Sequence, residues 1–258
     1  MTLCVDIGNT RTTFAIVENG IVIASAHESS RHIAFKKAQQ AVHRLCDNEN
    51  AGEISTAGIA SVVPYLTTLV ANAIKDATGC EPFLVTAASS GIETAYDHSE
   101  SLGADRLCNA AAAFRMASGS AIVIDCGTAA TIDCISASGK FLGGAIMSGY
   151  RTTARALAGI TAQLPEIPFV VPSNALGTST DLCMQSGIFL GTTYAIEGIV
   201  RKIIAEAYQS ASPILIVTGG HYDVFCGITS LDVHPAPDLV LQGIEILTER
   251  SRAAVTAK

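Results

Sequence analysis

The sequence predicts an α/β protein made of two duplicated domains, each with a mixed sheet flanked by helices, and a cleft between them. Three observations carry this. An N-terminal stretch alternates apolar runs with polar, glycine-bearing turns. The same grammar recurs 119 residues downstream. Each copy then runs on into helical and strand-like segments. In register, Asp6 matches Asp125, Gly8 matches Gly127, Thr12 matches Thr131 and Gly20 matches Gly139. Two βββ starts similar by chance are the competing explanation.

The elements follow in order. Leu3-Cys4-Val5 is an apolar run that ends at Asp6-Ile7-Gly8-Asn9-Thr10. Thr12 to Val17 reads as a second strand, Glu18-Asn19-Gly20 as a hairpin turn and Ile21 to Ala24 as a third strand. Ala34 to Cys46 is predicted helical, with Phe35, Ala38, Val42 and Leu45 on one face. A strand over Ile59–Val63 stops at Pro64, a helix spans Tyr65–Ala77, and Phe83-Leu84-Val85 is a short strand. Gly103 to Met116 is an alanine-rich helix ending near Gly119, so the domains are expected to be 1–118 and 119–258. In the second copy, Ala121 to Ile124 ends at Asp125-Cys126-Gly127-Thr128. Thr131 to Ile135 follows, then the turn Ala137-Ser138-Gly139. Ser186 to Tyr208 reads as a long helix that is apolar nearly all round, which marks a buried or interfacial helix. Ile214 to Val217 is a strand entering Thr218-Gly219-Gly220-His221, and the last helix covers Leu239 to Arg250.

Composition narrows the function. The 258 residues are 49% hydrophobic and 15% charged, with mean hydropathy +0.39. A disordered chain is excluded, and the apolar surplus suggests an oligomer. The net charge of −7 argues against a nonspecific nucleic-acid binder. The first residues lack a basic segment followed by a long apolar core, and no stretch approaches a membrane span of ~18 apolar residues. Eight scattered cysteines form no CxxC pair or zinc spacing, and the six histidines are dispersed. A reduced, cytoplasmic setting with no membrane or nucleic-acid partner is expected.

The two aspartate-glycine turns are the chemical signal. Gly8 and Gly127 let the backbone approach a phosphate, and neighbouring N–H groups can form an anion-binding concavity. Asn9, Thr10, Thr12 and Thr128 add donors. Asp6 and Asp125 are anionic and make sense beside phosphates only with a cation between, Mg²⁺ or a monovalent ion. Arg11 either offsets charge or is simply solvated. Neither a GxxxxGK[ST] loop nor a GxGxxG fingerprint is present.

Paired turns of this kind resemble the superfamily of sugar and acetate kinases, actin and the heat-shock ATPases. Within it the chain resembles type III pantothenate kinase. The resemblance rests on Asp6-Ile7-Gly8-Asn9-Thr10, Leu102-Gly103-Ala104-Asp105-Arg106, Asp125 through Asp133 and Gly143-Gly144-Ala145-Ile146. Thr161-Ala162-Gln163-Leu164-Pro165, Gly177-Thr178-Ser179-Thr180 and Thr218-Gly219-Gly220 fit as well. It spans residues 3 to about 247. It departs at Asp97-His98-Ser99, where the family usually shows Asn-Pro after the tyrosine, and at Ser148-Gly149, where it usually carries Pro-Gly.

The resemblance implies two ribonuclease-H-like (actin-like ATPase) domains with the active site in the interdomain cleft. It implies phosphorylation of the pantothenate 4′-hydroxyl by ATP with Mg²⁺, activated by a monovalent cation (K⁺ or NH₄⁺), in a homodimer that serves coenzyme A biosynthesis. It assigns ATP phosphates to Asp6, Ile7, Gly8, Asn9, Thr10, Arg11, Thr12 and Thr13, with a further ATP contact at Thr128. It assigns pantothenate to Tyr96, Gly103, Ala104, Asp105, Arg106 and Thr180, with Asp105 as the base and Arg106 on the substrate carboxylate. The monovalent cation falls on Asp125. Taken singly, Asp105-Arg106 reads rather as a helix-terminal salt bridge, Thr180 as a helix cap and Thr218-Gly219-Gly220 as an ordinary turn. A kinase for another small alcohol and a non-catalytic ligand-binding or regulatory relative are the rival readings.

Overall fold

A computed structural model describes residues 1–47, 52–209 and 212–256. The chain divides into two compact units, each with its own five-stranded sheet. The first holds residues 1–116 with 139–141 and 238–258; the second holds 117–138 and 142–237.

In the first unit, β1 (Thr2–Ile7), β2 (Arg11–Glu18) and β3 (Ile21–Ser29) form an antiparallel meander. The β2–β3 turn is tight because Asn19 and Gly20 both take positive φ (53° and 80°), the conformation that a two-residue hairpin loop requires. After α1 (Phe35–Cys46), β4 (Thr56–Ser61) pairs parallel to β1. α2 (Pro64–Thr78) opens on a proline, whose missing N–H costs nothing in the first turn, and closes on Gly79 in the left-handed region. β5 (Phe83–Leu84), the capped turn α3 (Ala87–Ser90), a 3-10 turn (Ser99–Ser101) and α4 (Ala104–Ala117) follow. The sheet order is β3-β2-β1-β4-β5. β1 and β2 are central and read as continuous apolar runs, whereas the edge strand β3 is only partly buried. Leu3, Val5, Ile7, Phe14 and Ile16 of the sheet pack with Val42 of α1 and Leu66, Val70 and Ile74 of α2.

The second unit repeats the plan. β6 (Ala121–Cys126) pairs antiparallel to β7 (Ala129–Ile135), and β8 (Phe141–Ser148) completes that side. α5 (Tyr150–Ile160) and α6 (Thr180–Ala207) lead to β9 (Ile214–Thr218), which pairs parallel to β6. α7 (Tyr222–Ile228) and β10 (His234–Pro235) finish the order β10-β9-β6-β7-β8, the same topology as the first sheet. Ile122, Ile124, Ile132 and Val217 pack with Phe189, Ile196 and Val200 of α6 and Phe225 of α7.

The last helix, α8 (Leu239–Thr256), belongs to the first unit, whereas the expected division grouped residues 119–258 together. Its Gln242 donates to the Gly20 carbonyl (2.9 Å), and its Glu245 carboxylate accepts from the Gly20 amide (2.7 Å). α8 thus holds the tip of the β2–β3 hairpin.

Three expectations need adjustment. The strand before Pro64 ends at Ser61, because Val63 leads directly into α2. The long helix starts at Thr180 rather than Ser186, and it is not apolar all round: its buried stripe includes Gln185, Thr193 and Glu197. The strand registers pair Asp6 with Thr13 but Asp125 with Thr131, so Thr13, not Thr12, is the equivalent of Thr131. Ile7 faces Thr12 across residues 8–11, while Cys126 faces Ala130 across 127–129. The second turn is one residue shorter.

Candidate active site

In the first unit, Asp6 is the penultimate residue of β1 and is half-buried; Ile7 is buried, and Asn9, Thr10 and Arg11 are exposed on the turn. The Gly8 amide donates to the Arg11 carbonyl (3.0 Å), closing the loop. The Thr12 hydroxyl pairs with Ser30 (3.0 Å), and Ser30 in turn donates to the Gly8 carbonyl (2.6 Å). The Thr13 hydroxyl pairs with His27 Nδ1 (3.2 Å). His27 of β3 and Ser30 just beyond it therefore brace the turn, through Thr13 and Thr12 of β2, and the exposed residues 9–11 form its outer rim. Ser30 and His27 were not singled out from the sequence, since nothing local ties them to residues 8–13.

α4 starts beside Gly103 and presents Asp105 and Arg106 in its first turn. Asp105 Oδ1 accepts from the Arg106 backbone N–H (2.8 Å). Burial raises the Asp105 carboxyl above its ordinary range; that N–H and the Arg106 charge pull the other way. Arg106 is only 7% exposed. Its Nη1 donates to the Tyr96 hydroxyl (2.8 Å), and its guanidinium stacks over the rings of Tyr96 (5.6 Å) and Phe141 (5.2 Å), which meet edge to face. Tyr96, Asp105 and Arg106 are thus drawn together within one unit, with Phe141 as an unforeseen member. The buried Cys108 thiol is pushed well up by burial first and then by the Asp6 and Asp105 charges, so both acids act on one neighbourhood.

In the second unit, Asp125 is half-buried at the end of β6 and Thr128 is exposed on the turn. The Gly127 amide donates to the Ala129 carbonyl (3.1 Å). The Thr128 carbonyl accepts from the Gly149 amide (3.1 Å) and the Thr152 hydroxyl (2.6 Å). Thr180 opens α6, but the cap is Ser179, whose hydroxyl accepts from the Leu182 amide (3.3 Å). Thr180 instead lines a cleft of about 740 Å³ with Thr153, Leu157, Gly177, Cys183 and Met184.

Among the described residues no group of three or more His, Cys, Asp or Glu could hold a metal ion. No helix among them is long and apolar enough to cross a membrane.

Two sheets of one topology, each with an aspartate-glycine turn after its first strand, define the fold of the actin-like ATPases and sugar kinases. A ROK hexokinase from Thermus thermophilus has this fold, with TM-score 0.53, 12% identity and coverage of 97% of this chain and 98% of that one. So does the activator of 2-hydroxyisocaproyl-CoA dehydratase from Clostridium difficile, with TM-score 0.59, 12% identity and coverage of 100% and 97%. The chain belongs to the type III pantothenate kinase family, whose model matches residues 2–202. A type III pantothenate kinase from Dehalococcoides mccartyi is 35% identical over 256 residues, covering 97% of this chain and 96% of the relative.

Proposed function

We propose that this chain transfers the γ-phosphoryl group of ATP to the 4′-hydroxyl of pantothenate, the first step towards coenzyme A. Family membership supports the reaction, and the observation that carries the residue assignment is the Asp105–Arg106–Tyr96 constellation. Phosphoryl transfer asks a protein mainly for positioning and charge neutralisation. Asp105 supplies the base. With Oδ1 engaged by the Arg106 amide, Oδ2 takes the hydroxyl proton, and burial makes that carboxylate more basic than a solvated one. Arg106, clamped by Tyr96 and Phe141, binds the substrate carboxylate through its planar fork. Gly103 and Ala104 precede the pair at the start of α4, and Thr180, which lines a cleft of the second unit, is assigned to pantothenate by the resemblance alone.

ATP phosphates fall to residues 6–13 in the first unit, mainly through the exposed rim at Asn9, Thr10 and Arg11, and to Thr128 in the second. Each unit offers a single half-buried carboxylate at its turn, Asp6 and Asp125. That donor set suits a hard cation that keeps phosphate and water ligands rather than an all-protein cage. When bound, Mg²⁺ neutralises charge on the transferring phosphates. Asp125 is the ligand for an activating potassium or ammonium ion.

The assembly is a cytoplasmic homodimer. The second unit exposes several large apolar side chains, among them Ile160 (84% exposed), Leu176 (83%), Leu182 and Tyr194, which supports an oligomer. Incubation with MgATP and pantothenate, read by mass spectrometry, should yield 4′-phosphopantothenate. Absence of that product, from folded protein with potassium present, would refute the reading.

A further inference from the structure

Three glycine-bearing turns press together in the second unit. A Cβ on Gly149 would strike the Gly127 carbonyl, and one on Gly219 (φ +88°) would strike the Asp125 carboxylate. The Gly149 amide donates to the Thr128 carbonyl, and the His221 amide donates to the Cys126 carbonyl (2.9 Å). The chain just beyond Gly149 and just beyond Gly220 is therefore fixed against the Asp125–Thr128 turn.

Two side chains from these flanks meet. Arg151 Nε donates to His221 Nε2 at 3.1 Å. The bond uses the imidazole lone pair at Nε2, so the ring proton sits on Nδ1. The Arg151 guanidinium carbon also stands 4.0 Å from the centroid of Phe169. Phe169 is itself wedged against His221 (5.0 Å) and Phe189 (4.8 Å). An exposed arginine is thus held in one orientation by a hydrogen bond and a ring stack.

Among the described residues no carboxylate pairs with Arg151. A guanidinium carries five N–H donors, and the His221 bond uses one. Ordering a long side chain on the surface costs entropy, and the stack with one weak bond offsets little of it. In a chain of net charge −7, an immobilised cation without an acidic partner beside a phosphate-type turn has the form of a preorganised anion ligand.

We propose that Arg151 binds a phosphate oxygen of the nucleotide, with His221 and Phe169 as the residues that position its guanidinium. The proposal rests on the kinase reading and deepens it: the nucleotide site extends from Asp125 and Thr128 to the start of α5 and the turn after β9. The contact is to phosphate rather than to the base or ribose.

Calorimetric titration with MgADP and, separately, adenosine tests it on wild type, Arg151→Gln, Arg151→Lys, His221→Ala and His221→Gln. Arg151→Gln should weaken MgADP about tenfold or more, as expected for a charge-assisted bond, and leave adenosine unchanged. Arg151→Lys should recover only part of the loss, because it lacks the planar fork. His221→Ala should raise the KM for ATP with kcat at saturating ATP unchanged. His221→Gln, which keeps an acceptor, should restore it. Wild-type MgADP affinity in Arg151→Gln would overturn the assignment alone. Equal losses of MgADP and adenosine would overturn the phosphate contact. No nucleotide binding by wild type would overturn the kinase reading and this assignment with it.

Discussion

The two aspartate-glycine turns follow the same strand in two sheets of one topology, yet different elements support them. The first is braced from the β3 side of its own sheet: Ser30, just past the strand, donates to the Gly8 carbonyl and pairs with the Thr12 hydroxyl, 0% exposed, and His27 holds Thr13. The second is shorter and is braced by helix starts, through Gly149 and Thr152 on the Thr128 carbonyl and the His221 amide on Cys126. The first unit adds an acid–arginine pair at the start of α4, its buried Arg106 bonded to the half-buried Tyr96 upstream. The second adds an exposed arginine stacked beside its turn. Duplication supplied one backbone device twice. The side chains packed around each copy differ: a strand-end serine and a histidine support the first turn, and two helix starts support the second.

The sharpest break of this comparison is Asp105→Asn. It keeps volume and removes the base, so turnover should fall by about 10²- to 10⁴-fold with the melting temperature unchanged. Near-normal turnover would return Asp105 to a helix-terminal role. The same residue sets a pH dependence. Its carboxyl is raised above the ordinary 3.8 by burial, and the base works only when deprotonated. Activity should therefore fall as pH drops through a point above that value, and a wild-type profile with its acid limb at or below 3.8 would contradict the assignment.

Arg106→Lys is next. It keeps the charge but loses the fork and the stack on Tyr96 and Phe141, so the KM for pantothenate should rise about tenfold with kcat little changed. An unaltered KM would move substrate recognition away from α4. Asp125→Asn probes the second unit. It should flatten the potassium titration and raise the apparent ATP requirement, and an unchanged titration would remove the cation from that turn.

The smallest effects compare the braces themselves. Thr12→Val removes a buried hydroxyl pair and should cost about 1 kcal/mol in denaturant unfolding. Thr152→Val touches an exposed brace and should stay within about 0.5 kcal/mol. Equal costs would mean that the two turns are supported alike.

Much of this was legible in the chain. The strands that flank each turn are apolar runs stopped by Asp-x-Gly, and the hairpin at Asn19-Gly20 is written in residues that accept positive φ. The Asp105–Arg106 pair on its own reads as a helix-terminal salt bridge, and only its place among the other motifs marks it out. What could not be read depends on contacts distant in sequence. His27 reaches the first turn through strand pairing, Ser30 lies just past the strand end, and Phe141 reaches Arg106 from far along the chain. α8 has no local signal that ties it to the hairpin at Gly20, 222 residues away from Gln242. The cap at Ser179 was closer to hand: a serine three residues before Leu182 is as good a cap as Thr180, and only the backbone geometry separates them.

The most direct test of the account is ADP release from MgATP, with and without pantothenate and potassium, by wild type and by Asp105→Asn. The account predicts release that needs both pantothenate and potassium in wild type and is lost in the variant. Release that ignores pantothenate, or that survives in Asp105→Asn, would contradict it.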